Sequence, residues 1–404
     1  MPQVPSRRRT EPFDPFEPVT PSSRARAGGG SGKGGTAGKG RKKRRDPLWA
    51  RLVVIFGALL MLASGGLIVG GKVLISRYTG AIDQQNLLGA AAKSPQEARE
   101  ALKGAINILL LGVDERARTA GDMRSDTIVI LHVPASHDQA YLVSVPRDTW
   151  VQAPAFPKSG YGGGSGKITD MFYHGSRNGQ GRAGGAELVA TVIKNMTGIT
   201  FNGAAVIDFY GFKAVIDSLG GVHMCVDQRV KSAHMRMVDG KPMWLADARK
   251  HGGGETIWYE KGCRDMAGWE ALDYSRQRYG LKNGDYDRQR HQQQLIKAMV
   301  KKAMSGGVVT NPLKLDKVIK AAGKAFVLDT NGVALDDFIF TLKGIAANDL
   351  VMLRTNAGKV NSAGVDGTAA EALTPESLEM FTAVRDGQLG SFIATHPAFV
   401  ANEK

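Results

Sequence analysis

Three short apolar runs follow one another closely in the chain: INILLLG (Ile106 to Gly112), DTIVILHV (Asp126 to Val133) and QAYLVSV (Gln139 to Val145). Each is branched or aromatic and bounded by turn-forming residues, the pattern of β-strands. The stretch AELVATVIKNMTGI carries apolar residues at helical spacing and ends at Gly198. GAAVIDF, YGFKAVIDSLGG and VHMCV continue as strand, amphipathic helix and strand. Helices are predicted at MAGWEALDYSR, RHQQQLIKAMVKKAMS, PLKLDKVIKAAGKAF and ALDDFIFTLKGIA, followed by a strand, LVMLRT. A last helix opens at Thr374-Pro375-Glu376, and no internal repeat is evident. Alternating strands and helices predict one α/β domain, a three-layer α-β-α sandwich around a central mixed sheet.

One apolar run differs in kind. Leu52 to Gly71 contains no charged residue, and at about 1.5 Å per residue it spans the ~30 Å hydrocarbon core of a bilayer. The sequence therefore predicts a signal anchor, a single transmembrane helix over 48–75 ahead of the α/β domain. The basic cluster before it orients the N-terminus to the cytoplasm and everything beyond about Ser76 to the outside. This places the α/β domain on the outer face of the cell membrane. Residues 76–104 read as a helical or loose extracytoplasmic stalk, and 105–404 as the α/β domain.

Charge changes the picture only once it is located. The net charge is +15, but 13 Lys/Arg against 4 Asp/Glu in residues 1–51 carry +9 of it. Segment 1–47 is rich in Gly, Ser and Pro with few large apolar residues, so it reads as a disordered cytoplasmic tail. Its charge serves solubility and membrane topology, and no nucleic-acid partner is expected. GSGKGG and GGGSGKIT look like phosphate-binding loops but fail the pattern, because neither Lys is followed by Ser or Thr. The two cysteines, Cys225 and Cys263, lie on the oxidising side, where an even pair is bridged more often than free. Two unpaired core thiols are the alternative.

The segment DYSRQRYGLKNGDYDRQR packs Arg276, Arg278, Arg288 and Arg290 among Asp273, Asp285 and Asp287. Like charges held close repel, so such a gathering calls for an anion. Further candidates stand at strand ends: Asp114, Arg116, Arg124 and Asp126 after the first strand, Arg147 and Asp148 after the third, and Lys167 after a Gly-rich loop. Singly these are turn or cap residues. Together they suit a divalent cation bridging a pyrophosphate whose remaining oxygens the arginines clamp.

NILLLGVDERARTAGDMRSDTIVILHV, LVSVPRDTWV, GKITDMFYHG, LGGVHMCV, GWEALDYSRQR and GDYDRQRHQQQ, in this order, resemble the LytR–CpsA–Psr family. The resemblance runs from about Ala105 to at least Gly390. It implies a membrane-anchored phosphotransferase that moves a glycopolymer from a polyprenyl-pyrophosphate carrier onto a peptidoglycan acceptor through a phosphodiester bond. Asp114 and Asp126 match the family's magnesium ligands, with Mn2+ as the substitute ion. Arg124, Arg147, Arg276, Arg278 and Arg288 match its pyrophosphate-binding arginines, and Lys167 and Gln292 its further phosphate contacts. Asp285 matches a carboxylate near the attacking group, making Asp285, Arg276 and Arg288 the expected catalytic set. Two departures stand out: His291 occupies a usual arginine position, and Asp287 replaces a common Gly, leaving two candidate carboxylates. Hydrolysis of the carrier pyrophosphate, or a regulatory role in cell-envelope maintenance, are the competing readings.

Overall fold

The computed structural model describes residues 83–401 except 101–102, 116–122, 309–310, 324–325, 334–336, 338–340, 342–349 and 366. The anchor, the basic tail, Arg116 and all but two residues of the helix expected at ALDDFIFTLKGIA lie outside the described residues. Among those described, no helix is long and apolar enough to cross a membrane.

Among the described residues, the core is one seven-stranded sheet. Its strands are β1 (Asp83–Gln84), β2 (Ile106–Glu115), β3 (Met123–Val133), β4 (Ala140–Ser144), β7 (Gly203–Asp208), β13 (Phe326–Asp329) and β14 (Leu350–Arg354), in the spatial order β1-β13-β7-β2-β3-β4-β14. Pairing is mixed: β2 with β7 and β4 with β14 run parallel, while β3 is antiparallel to both β2 and β4. Strands β2, β4, β7 and β14 therefore all end at one edge of the sheet. In open α/β sheets that edge is where ligands bind.

Both faces of the sheet are buried, as the continuous apolar runs require. Leu109, Leu111, Ile128, Ile130, Tyr141 and Val143 face helices Ile168–Ser176, Gly181–Thr197 and Pro375–Arg385. The alternate residues, Ile106, Ile108, Leu110, Val129, Leu131 and Leu142, pack under Ile296 and Val300 of the long helix Asp285–Ser305. Side chains alternate faces along a strand, so each run supplies both layers.

A second core sits beside the first. Strands β8 (Val222–Val226) and β12 (Gly262–Met266) form an antiparallel pair. Strands β9 (Val230–Val238), β10 (Lys241–Trp244) and β11 (Glu255–Tyr259) form a three-stranded sheet. Their apolar residues surround Tyr274 of the helix Gly268–Arg276 and Leu295 of the long helix. Cys225 and Cys263 are directly opposite on β8 and β12 and joined by a disulfide.

Four expectations change. VHMCV is a strand, but it belongs to the small ribbon and not to the central sheet. The predicted helix PLKLDKVIKAAGKAF ends earlier, at Ala322, and Phe326 opens β13 at the sheet edge. A further helix, Leu389–Thr395, follows the one opening at Pro375. The expected stalk is packed against the domain from Asp83 onward. Asp83–Gln84 pairs with β13, and Leu87 and Leu88 are fully buried, with Asp329 accepting from both their amides at 2.8 and 3.2 Å. Two adjacent leucines are too apolar to stay in water when a sheet edge is available.

The disulfide staples the ribbon that feeds the Arg276 helix. Replacing both cysteines with serine should lower unfolding free energy by about 2–4 kcal/mol, measured by chemical denaturation. Alkylation of denatured, non-reduced protein should find no thiol, and two free thiols would contradict the bridge.

Candidate active site

A single irregularity brings the two candidate metal ligands together. Along β2 and β3 the register shifts: Gly112 pairs with Thr127, but Val113 pairs with Ser125. Asp126 is the extra residue of a β-bulge, a device that re-aims side chains next to functional sites. Met123 therefore shares a core with Ile128 and Ile130 despite the odd spacing. Asp126 is turned instead to the side of Asp114, and both line the same cavity. Gly112 permits the close approach, because a Cβ there would lie 2.9 Å from Cβ of Thr127.

The arginines arrive from two directions. Arg147 follows β4 and donates from Nη1 to Asp126 Oδ1 at 2.6 Å. Arg276 ends the helix Gly268–Arg276, and its Nη2 lies 3.2 Å from Asp114 Oδ2. Its guanidinium stacks 3.7 Å over the Phe209 ring, with Trp244 at 5.4 Å. The chain then turns through Gly284 at φ 53°, a left-handed conformation suited to glycine, and the long helix begins at Asp285. Arg288, 4 % exposed, sits one turn in. The helix N-terminus adds roughly half a positive charge to this corner.

The charges perturb one another. Burial pushes the Asp126 carboxyl up, but Arg288, Arg147 and Arg276 outweigh it and hold it below the usual range. Burial and the Arg288 charge lower Arg276 against the pull of Asp114, Asp126 and Asp273. His234, on the cavity wall, is held below its usual value by burial and by Arg276. Excess positive charge in a half-buried cleft is an anion site.

Two cavities meet at Arg147. The larger, about 770 Å³, is lined by Asp114, Asp126, Arg276, Arg278 and Arg288, and continues along Phe209, Ala233, Trp244, Leu245 and Ala246. The smaller, about 450 Å³, is lined by Arg124, Lys167, Asp148, Asp170, Trp150 and His174. Lys167 Nζ is 2.9 Å from Asp148, and Arg124 Nε is 3.5 Å from Asp170. The sequence-derived set is thus divided between two chambers, with Arg147 common to both. Gln292 is buried two turns into the long helix and lines neither.

Asp285 and Asp287 separate cleanly. Oδ1 of Asp285 accepts from Nε of Arg288 at 2.9 Å, with Nη2 at 2.7 Å, and Oδ2 accepts from Gln289 at 3.0 Å. It lines neither cavity, so its visible role is to hold Arg288. Asp287, 3 % exposed, accepts from the Asn283 amide, the Asn283 side chain, Gln228 and Arg290 at 2.9–3.1 Å. His291 is bonded to Tyr274 and Asp227, and Arg290 to Asp227 and Asp287. Both therefore point into a buried network behind the helix start, not into the cleft. Phe209, Trp244, His234, Arg249 and Tyr279 of the cavity wall were not expected from sequence. Phe209, immediately after a strand ending at Asp208, carried the one available signal.

Burial raises the Asp287 carboxyl, but its hydrogen bonds from Asn283 and Gln228 and the Arg290 charge leave it below normal. A depressed folded value stabilises above the unfolded value of about 3.9 and is lost as pH falls through the folded one. Asp287→Asn should therefore destabilise at neutral pH, with the gap to wild type closing on acidification in urea titrations. Turnover per folded molecule should hold in Asp287→Asn and fall at least about tenfold in Asp285→Asn, where Arg288 is released. The opposite ranking would reverse the two roles.

Comparison with known proteins is consistent with this geometry. Cell wall biosynthesis protein LcpA of Corynebacterium glutamicum is 25% identical over 84% of this chain and 66% of its own length. The polyisoprenyl-teichoic acid–peptidoglycan teichoic acid transferase TagU of Oceanobacillus iheyensis is 28% identical over 77% of this chain and 86% of its own. The crystal structure of Bacillus subtilis TagV shares the fold, with a TM-score of 0.53 over 71% of this chain and 98% of that one at 23% identity. The LytR_cpsA_psr family model matches residues 72–383. With that match spanning most of the sequence, the chain belongs to the LytR_cpsA_psr family.

Proposed function

We propose that the protein is a membrane-anchored, extracytoplasmic phosphotransferase. It moves a glycopolymer from a polyprenyl-pyrophosphate carrier to a peptidoglycan hydroxyl, leaving a phosphodiester. The carrying observation is the convergence of Arg147, Arg276 and Arg288 with Asp114 and Asp126 on one cavity. Such a set is matched to a diphosphate, whose charge needs both a cation and bidentate donors.

The donor set fits magnesium, with manganese as substitute. Magnesium is commonly held by one or two carboxylates, with substrate phosphates and water completing the shell. Asp114 and Asp126 offer two carboxylates, and among the described residues they belong to no larger cluster of acidic or imidazole ligands. When bound, the ion would neutralise charge on the diphosphate oxygens.

The chain's own part is electrostatic. Arg276 and Arg288 hold the lipid-side phosphoryl oxygens in the larger chamber, and Arg147 releases Asp126 to take up an oxygen of the phosphorus that carries the glycan. The acceptor oxygen bonds to that phosphorus, the bridging P–O bond breaks, and its electron pair leaves on polyprenyl monophosphate. Charge spread over the equatorial oxygens is met by guanidinium groups already in place. The apolar wall from Phe209 to Ala246 suits the isoprenoid. The run 52–71 would keep the domain beside the bilayer in which the carrier resides.

Full-length protein in detergent, given farnesyl-pyrophosphate-linked N-acetylglucosamine, peptidoglycan fragments and magnesium, should yield a phosphodiester adduct by mass spectrometry. Free glycosyl phosphate alone would favour hydrolysis instead. Arg276→Ala and Asp126→Ala should each cut adduct formation at least about a hundredfold with circular dichroism unchanged. Unchanged rates in both variants would overturn the reading.

A further inference from the structure

The smaller cavity is chemically unlike the larger one, and the transfer reading above gives it a use. Its floor is a short ribbon, β5 (Trp150–Ala153) paired antiparallel with β6 (Gly164–Lys167), in which Trp150 lies directly opposite Lys167. Facing residues share one side of a ribbon, so an aromatic surface and an ammonium are presented together. Asp170 and His174 stand one turn apart on the helix Ile168–Ser176, on the same helical face. His174 stacks on Tyr161 with ring centroids 4.4 Å apart, which fixes the imidazole, and its Nδ1 is buried with no hydrogen-bond partner among the described residues. Thr368 closes the rim. A partly buried aromatic side chain among hydroxyl, carboxylate and imidazole groups suits a sugar ring, which has apolar C–H faces and a girdle of hydroxyls.

Position adds a second argument. Arg147 lines both cavities and is the residue they share. In phosphoryl transfer the attacking and leaving oxygens lie roughly in line through phosphorus. A diphosphate at Arg147 whose lipid occupies the apolar chamber must therefore be attacked from the other chamber.

We propose that the polar cavity of Trp150, Asp170, His174 and Thr368 is the subsite for the carbohydrate acceptor. The acceptor hydroxyl oxygen bonds to the glycan-bearing phosphorus as the bridging P–O bond breaks toward polyprenyl monophosphate. Its proton passes to Asp148, the cavity carboxylate beside Arg147, at 3.7 Å from Arg147 Nε. A volume of about 450 Å³ admits one or two sugar rings, not a lipid chain with its head group.

The test separates acceptor from donor. For the full-length protein in detergent, the Kd of farnesyl-pyrophosphate-linked N-acetylglucosamine is measured by titration calorimetry. The KM of a peptidoglycan tetrasaccharide is measured by adduct formation. Trp150→Ala and His174→Ala should raise acceptor KM at least about tenfold while donor Kd stays within about twofold, and Trp150→Phe should recover most of the loss. Thr368→Trp, a rim substitution that fills the cavity without touching the core, should act in the same direction if the other variants fold poorly. An unchanged acceptor KM in the folded variants overturns the proposal. So does a donor Kd that weakens in parallel, which would give the cavity to the donor glycan. Wild-type protein that binds the donor but makes no adduct would overturn the transfer reading itself, a result distinct from either.

Discussion

Everything at the active edge of this protein depends on confining several guanidinium groups in one cleft. Arg147, Arg276 and Arg288 would repel one another in a half-buried space, and the fold tolerates them because Asp126, Asp114 and Asp285 each take one. These pairs are at once a folding requirement and a poised site. Removing one partner of a buried pair leaves an uncompensated charge, so the aspartates secure the arginines in the cleft. The stacking of Arg276 on Phe209 restricts it further, and a guanidinium that is already oriented loses little freedom when it binds.

The scaffold behind the cleft serves that arrangement. Four strands end at one edge, so Asp114, Arg147 and Asp208 are delivered by rigid elements and not by long loops. The start of the long helix is fixed from behind by Asp287, Arg290, His291, Tyr274 and Asp227. Burial pushes the Asp227 carboxyl up, but His291 and Arg290 hold it well below its usual range. This network is separate from the cleft, yet it lies within one turn of Arg288. Gln293 completes the anchorage by donating to Leu142 O, Ser144 Oγ and Leu353 O at the ends of β4 and β14, at 2.8–2.9 Å.

Much of this was legible in the sequence for a physical reason. Strands buried on both faces must be apolar throughout, so β2, β3 and β4 announced themselves. The charged residues at their ends had to lie at the sheet edge. The helix end at Arg276 followed from the Gly/Asn turn after it, but the long helix, expected from Arg290, begins five residues earlier at Asp285. The region from Gln228 to Lys261 was not legible. Strand β9, VKSAHMRMV, mixes charge with sulfur-containing side chains and forms a small, partly exposed sheet, so its alternation is blurred. The cavity wall at His234 and Trp244 went unseen with it. The bulge at Asp126 is invisible for another reason, since a one-residue shift in pairing leaves no mark on composition. Arg124 and Lys167, expected beside the other cations, line the smaller chamber, and Arg147 lines both; spacing along a chain does not reveal such a division. Asp285 and Asp287 were indistinguishable until their partners could be seen.

The central claim is that the paired arginines and aspartates form a site for a diphosphate and not for anions in general. Titration calorimetry of the full-length protein with farnesyl pyrophosphate and with farnesyl monophosphate, each with magnesium and with chelator, tests it most directly. The account predicts that the diphosphate binds at least about a hundredfold more tightly, a difference of roughly 2.7 kcal/mol, and that chelation removes most of the preference. Equal affinity for the two lipids, with or without magnesium, would contradict it.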